Sequence, residues 1–99
     1  MSKGYLIVES KVSDPFAYET YKALAGPAVT QYGGRYLARG GSVDVLEGDW
    51  SKPERLVVVE FDSPEQAKKF YDSPEYRAAR AARKGAASMN MLVVEGLPL

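Results

Sequence analysis

Gly33-Gly34-Arg35-Tyr36-Leu37-Ala38-Arg39-Gly40-Gly41, running on into Ser42-Val43-Asp44-Val45-Leu46-Glu47-Gly48-Asp49-Trp50, reads as a short strand held between two glycine pairs. The first pair predicts the end of a preceding helix, where a left-handed backbone is wanted. The second predicts a bulge or sharp bend from which the chain continues as a further strand segment. Side chains alternate along a strand, so Arg35, Leu37 and Arg39 are expected on one face and Tyr36 and Ala38 on the other.

Upstream, Tyr5-Leu6-Ile7-Val8-Glu9-Ser10-Lys11-Val12 is almost continuously apolar at its start, as suits a central strand. Asp14-Pro15 supplies a helix cap and a first-position proline. The helix that follows carries Tyr18, Tyr21, Ala25, Ala28, Val29 and Tyr32 on one stripe, with a kink or break expected at Gly26-Pro27. Downstream, Arg55–Phe61 is the strongest strand, with Val57, Val59 and Phe61 on one face and Leu56, Val58 and Glu60 on the other. Ser63-Pro64-Glu65-Gln66 opens a second helix, Ser73-Pro74-Glu75 restarts it, and Met89–Gly96 closes the chain as a last strand.

The order strand, helix, two strands, helix, strand predicts an α+β, ferredoxin-like split βαβ domain over residues 1–99, with an antiparallel sheet and both helices on one face. The other sheet face would hold Tyr5, Ile7, Leu56 and Val58, with Met91 and Val93 assigned there too. That is too apolar to leave in water. The expected partner is a second copy: a homodimer whose two sheets enclose a shared barrel interior.

Composition narrows the chemistry. The 99 residues contain 13 Lys+Arg and 13 Asp+Glu, hence no net charge and no expectation of a nucleic-acid partner. The basic residues Arg77, Arg80, Arg83 and Lys84 read as the solvated face of an Ala-rich helix. With no Cys and no His, there is no thiolate nucleophile, no Ser-His-Asp triad and no His-ligated metal or haem. Acid–base chemistry would fall to Asp, Glu, Tyr, Lys, Arg or water. Glu9, Asp44, Glu47 and Asp49 match no calcium-loop spacing, and neither glycine pair matches a phosphate loop, so no metal and no cofactor is expected. The opening Met1-Ser2-Lys3-Gly4 leads into an apolar run too short for a signal-peptide core or a membrane span, and a cytoplasmic protein without membrane contact is expected.

The GGRYLARGG, LEGDW and YDSPEY motifs, with Val57–Phe61 and Ser63-Pro64-Glu65, extend over nearly the whole chain. Together they resemble the uncharacterised family known as domain of unknown function 1330, within the dimeric α+β barrel superfamily. The resemblance implies the fold and the dimer and carries no established activity. Members often have a His just before the first glycine pair, where this chain has Gln31 and Tyr32. The wider superfamily includes cofactor-independent monooxygenases, lactone isomerases, haem-dependent enzymes and stress-response proteins, so function has to be argued from the site.

The candidate site is the set of polar residues on the barrel face. Glu60 and Glu9 share a face with Tyr5 and Leu56, and a carboxylate in an apolar cavity has the raised pKa of a general base. Arg35 and Arg39 share a strand face, on the barrel or the helix side according to the bend at Gly40-Gly41. Arg39 is suited to anchor a carboxylate or enolate through its planar fork, with Arg35, Tyr36, Glu47 and Tyr5 as further ligand contacts and Tyr36 as an oxyanion donor. The competing reading pairs Arg39 with Glu47, Glu60 or Glu9 as a plain ion pair at the barrel mouth. The expected function is binding of a small acidic or aromatic metabolite in the barrel interior. The alternative is a cofactor-independent isomerase or monooxygenase-like enzyme acting on an enolisable small molecule.

Overall fold

Each helix begins where the sequence sets an oxygen-bearing side chain before a proline. In the computed structural model, which describes residues 1–99, Asp14 Oδ1 accepts from Ala17 N at 3.1 Å, Ser63 Oγ from Gln66 N at 3.0 Å and Ser73 Oγ from Tyr76 N at 3.1 Å. These caps open α1 (Pro15–Gln31), α2 (Pro64–Tyr71) and α3 (Pro74–Ala82), satisfying amides that have no partner inside their own helix. The expected restart at Ser73 is therefore real. Of the kink or break expected at Gly26-Pro27, the break does not occur, because α1 runs through Pro27 as one helix. Pro27 and Ala23 both lie on its exposed side, where water can take the carbonyl that the proline leaves free. The helix stops as read: Gly33 turns at φ +80°, and Gly34 N donates to Val29 O at 2.8 Å.

The strands are β1 (Ser2–Val12), β2 (Arg35–Arg39), β3 (Arg55–Phe61) and β4 (Ala87–Pro98), in the order β2-β3-β1-β4 and antiparallel throughout. β3, the most apolar strand, and β1, with its unbroken Tyr5–Val8 run, take the centre, and all three helices cover one face. This is the ferredoxin-like α+β fold. The core lies between the layers: Leu6, Val8, Val57, Val59 and Phe61 from the sheet against Tyr18, Tyr21, Phe70 and Tyr76 from the helices. Gly4 makes the close approach of the layers possible. A Cβ there would sit 2.6 Å from the backbone of Ser63 and Pro64, so the start of α2 rests directly on β1.

Register corrects three expectations. Leu6 pairs with Val93 and Val8 with Met91, which puts Met91 and Val93 on the helix side with the core. The open face instead carries Leu92 and Val94, 57% and 47% exposed, beside Tyr5, Ile7, Leu56 and Val58. In β2 the register shifts between Tyr36 and Ala38, so Arg35 pairs with Glu60 but Arg39 pairs with Val57. One extra residue thus sends Arg35 to the open face and Arg39 to the helix face; the bulge falls at Leu37–Ala38, before the second glycine pair. Lastly, Ser42–Trp50 is not a strand but part of a loop from Gly40 to Glu54, since β3 begins only at Arg55 and no strand lies beside it to pair with.

Candidate functional site

The bulge in β2 brings together residues that simple alternation separates. Arg39 and Tyr36 both turn toward α1, and the Arg39 guanidinium lies 4.3 Å from the centre of the Tyr36 ring. Arg55 joins them because it is in phase with Val57 and Val59 on β3, and its guanidinium faces the Tyr18 ring at 5.8 Å. These residues and Lys22 line the mouth of a cavity of about 40 Å³ between α1 and the sheet, with Tyr21, Val59, Phe70 and Tyr76 deeper inside. A space of that size takes a few water molecules or a small polar group.

The charges at this mouth are one-sided. No carboxylate lines the cavity, and neither Arg39 nor Arg55 makes a salt bridge. Lys22 alone is paired, with Glu19 at 3.0 Å. The Nε of Arg55 is buried without a hydrogen-bond acceptor, as is Ser10 Oγ, its register partner on β1. Burial pushes the Tyr36 phenol up, and the nearby Arg39 and Arg55 only partly offset this, so Tyr36 stays a protonated donor at neutral pH.

Deeper in, the Tyr21 and Tyr76 hydroxyls meet at 2.7 Å, and Tyr76 Oη donates onward to Met91 Sδ at 3.7 Å. Burial, with the bond to Tyr76, pushes Tyr21 up; burial also raises Tyr76, with the bond from Tyr21 pulling the other way. Both directions fit one chain, Tyr21 donating to Tyr76 and Tyr76 to Met91. Tyr76→Phe would strand the buried Tyr21 donor and is expected to cost about 1–3 kcal/mol in urea unfolding. Tyr21→Phe, which leaves Tyr76 its sulfur acceptor, should cost less.

The other sequence candidates lie elsewhere. Glu60 accepts from Tyr5 Oη at 3.1 Å and also from Arg35 Nη2, all three on the open sheet face. Glu9, on the same face, accepts from Asn90 Nδ2 at 2.9 Å. Glu47 is exposed in the long loop, in a hollow with Trp50, Pro53 and Leu56. The proposed grouping of Glu60 and Glu9 with Arg39 therefore does not form: the sheet separates them. The ion pair of the competing reading involves Arg35, not Arg39. Of the tyrosines read on the helix stripe, Tyr21 is bonded inside, and Tyr32, just past the end of α1, donates from Oη to Glu75 Oε1 at 2.7 Å. Arg80 and Arg83, expected as solvated residues, pack their guanidiniums over Tyr71 at 4.2 Å and Tyr21 at 5.5 Å. Arg55 could have been found from sequence, since it occupies the core-facing parity of β3. The structure gathers no group of three or more Asp or Glu able to hold a metal ion, and no helix is long and apolar enough to cross a membrane.

The family described as Domain of unknown function (DUF1330) matches residues 3–97. The chain belongs to the DUF1330 family. No curated protein matches this DUF1330 chain. Among solved structures it is similar to a Rhodopseudomonas palustris protein of unknown function, with a TM-score of 0.72 at 17% identity over 99% of this chain and 85% of that one. It is also similar to SnoaB, a cofactor-independent oxygenase from Streptomyces nogalater, with a TM-score of 0.69 at 8% identity over 100% and 97% of the two chains. A dimeric ferredoxin-like protein of unknown function from Thermobifida fusca gives 0.61 at 20% identity over 97% and 92%. At these identities the likeness is one of fold.

Proposed function

We propose that this DUF1330 protein is a homodimer that binds a small organic acid at the Arg39–Arg55 mouth. The observation that carries the reading is the pair of guanidiniums on one sheet face with no carboxylate partner, one of them holding a buried, unmet donor. Two like charges side by side repel, and an anion between them removes the repulsion while accepting their hydrogen bonds. The planar fork of arginine favours a carboxylate or enolate, and the Tyr36 and Tyr18 rings favour a flat body behind it. The cavity admits the acidic group rather than a whole drug-sized molecule, so the ligand body would rest at the mouth. This moves the expected pocket from the barrel interior to the cleft between helix and sheet of each subunit.

The dimer half of the proposal rests on the open face, where Ile7 is flanked by Val58 and Leu92 and by further half-exposed apolar side chains. The dimeric relative of the same fold supports it.

A second reading, a cofactor-independent enzyme acting on an enolisable small molecule, draws on the same groups, because Arg39, Arg55 and protonated Tyr36 would hold a developing enolate oxygen. The absence of a carboxylate from the cavity lining weighs against it, as no general base faces the ligand. Under this reading Glu60→Gln and Glu9→Gln leave turnover intact, since both lie across the sheet.

Native mass spectrometry of protein purified from its own host tests the proposal. The expected species is twice the chain mass with a retained acid. The Arg39→Gln/Arg55→Gln variant should remain dimeric and lose that acid, with affinity down at least about 100-fold, since charge-assisted hydrogen bonds are worth about 1.5–3 kcal/mol each. A monomer, or a retained molecule indifferent to both substitutions, would overturn it.

A further inference from the structure

A second opening into the space between helices and sheet lies on the side of β4, and the proposed function does not use it. It is a groove of about 530 Å³, floored by Leu6 and walled by Met89, Met91 and Val93 on one side and by Tyr71 on the other. Lys68 from α2 and Arg83 from just beyond α3 stand over it. Neither cation has a salt-bridge partner, although Asp72 is also on the rim. The Nε of Arg83 is buried with no acceptor, and its guanidinium is held against the Tyr21 ring at 5.5 Å. The groove is therefore an apolar trough with one held, unmet donor, Arg83, and the exposed Lys68 at the same side. Its volume falls within the range of sites that enclose a small organic molecule.

We infer that this groove is a binding site for an amphiphilic organic monoanion, with its acidic head on Arg83 and Lys68 and its apolar body along the methionines. Thioether side chains are flexible and polarisable, so Met89 and Met91 suit a body of variable shape. An exposed cation alone would attract any anion weakly. Here Arg83 is held by the aromatic ring beneath it, and an acid arriving in the groove brings its guanidinium the acceptors that the protein does not supply. A cationic amphiphile would be repelled by Arg83 and Lys68, and an uncharged one would accept a hydrogen bond without the charge that strengthens it. The groove opens on the helix side along the β4 edge; of its lining only Leu92 belongs to the apolar face assigned to the second copy, so the dimer leaves the cationic end accessible. Leu6 and Met89 also line the Arg39–Arg55 cavity, whereas Met91 lines the groove alone.

That difference supplies the experiment. The chain has three methionines, Met1, Met89 and Met91, and protein labelled with ¹³C at the methionine methyls reports each separately. Titration with decanoate is expected to move the Met91 and Met89 signals saturably and leave Met1 in place. Read at Met91, Arg83→Gln should weaken decanoate at least tenfold, and Lys68→Glu, at an exposed position that folding does not need, several-fold; Arg39→Gln should leave the Met91 response unchanged. Decyltrimethylammonium, with the same tail and the opposite charge, should move Met91 at least tenfold less at equal concentration. The inference is overturned if Met91 does not respond to millimolar decanoate, if the cation binds as well, or if Lys68→Glu has no effect. It is equally overturned if Met89 moves without Met91 and the response is lost in Arg39→Gln, a result that would place the anion at the Arg39–Arg55 mouth and leave the proposed function standing.

Discussion

Ile7→Lys is expected to leave the fold intact and the protein monomeric. Ile7 pairs with Val58 on one side and Leu92 on the other, so it occupies the middle of the open sheet face, while the core beneath depends on its neighbours Leu6 and Val8. In the dimer the substitution buries two ammonium groups, one from each copy, in an apolar contact whose carboxylates, Glu9 and Glu60, are already engaged by Asn90 and by Tyr5 and Arg35. The penalty for a buried, unpaired ion is several kcal/mol, and about 1.4 kcal/mol corresponds to tenfold in affinity. The dimer dissociation constant should rise by at least about 10³-fold, read by sedimentation equilibrium, with the far-ultraviolet circular dichroism unchanged. Glu60 makes the site of substitution matter. It is already satisfied on this face by Tyr5 and Arg35, so the native face carries its polar group paired, which a new lysine would not be. A variant that stays dimeric would show that the copies meet elsewhere.

Phe70→Ala should bring the largest loss of stability. Phe70 is 1% exposed, with its ring centre 4.5 Å from Tyr76 and 5.2 Å from Phe61. It is the residue through which α2 joins the sheet and the tyrosines of α1 and α3. Truncation removes apolar burial and three-ring packing together and leaves a void that the surrounding aromatics are too stiff to fill. The expected cost is about 3–5 kcal/mol, a large share of the roughly 5–15 kcal/mol that stabilises a typical domain. Thermal unfolding should shift down by at least about 12 °C, at roughly 4–8 °C per kcal/mol for a chain of this size. Phe16→Ala is the control: Phe16 is 90% exposed and the same truncation there should change stability by less than about 0.5 kcal/mol.

Local chemistry was enough to read most of the frame. Asp14-Pro15, Ser63-Pro64 and Ser73-Pro74 mark helix starts because a capping oxygen and a missing N–H act within one turn. The parity of Leu6, Val8, Val57, Val59 and Phe61 marks the core because both strands are regular. These determinants lie a few residues apart in the chain. The site was legible only in part. Arg39 and Tyr36 could be singled out by residue type, but not placed, and Arg55 was missed although its parity was readable.

What tertiary structure alone decided is which face each candidate occupies. Alternation counts residues correctly only while every residue is paired, and the extra residue at Leu37–Ala38 is created by how β2 docks on β3. That one insertion parts Arg39 from Arg35 and Glu60, and sets it beside Arg55, sixteen positions away in sequence. The same holds for Tyr21 with Tyr76 and for Arg83 over Tyr21. Each is a contact between elements remote in the chain, fixed by layer packing, and no local pattern encodes it.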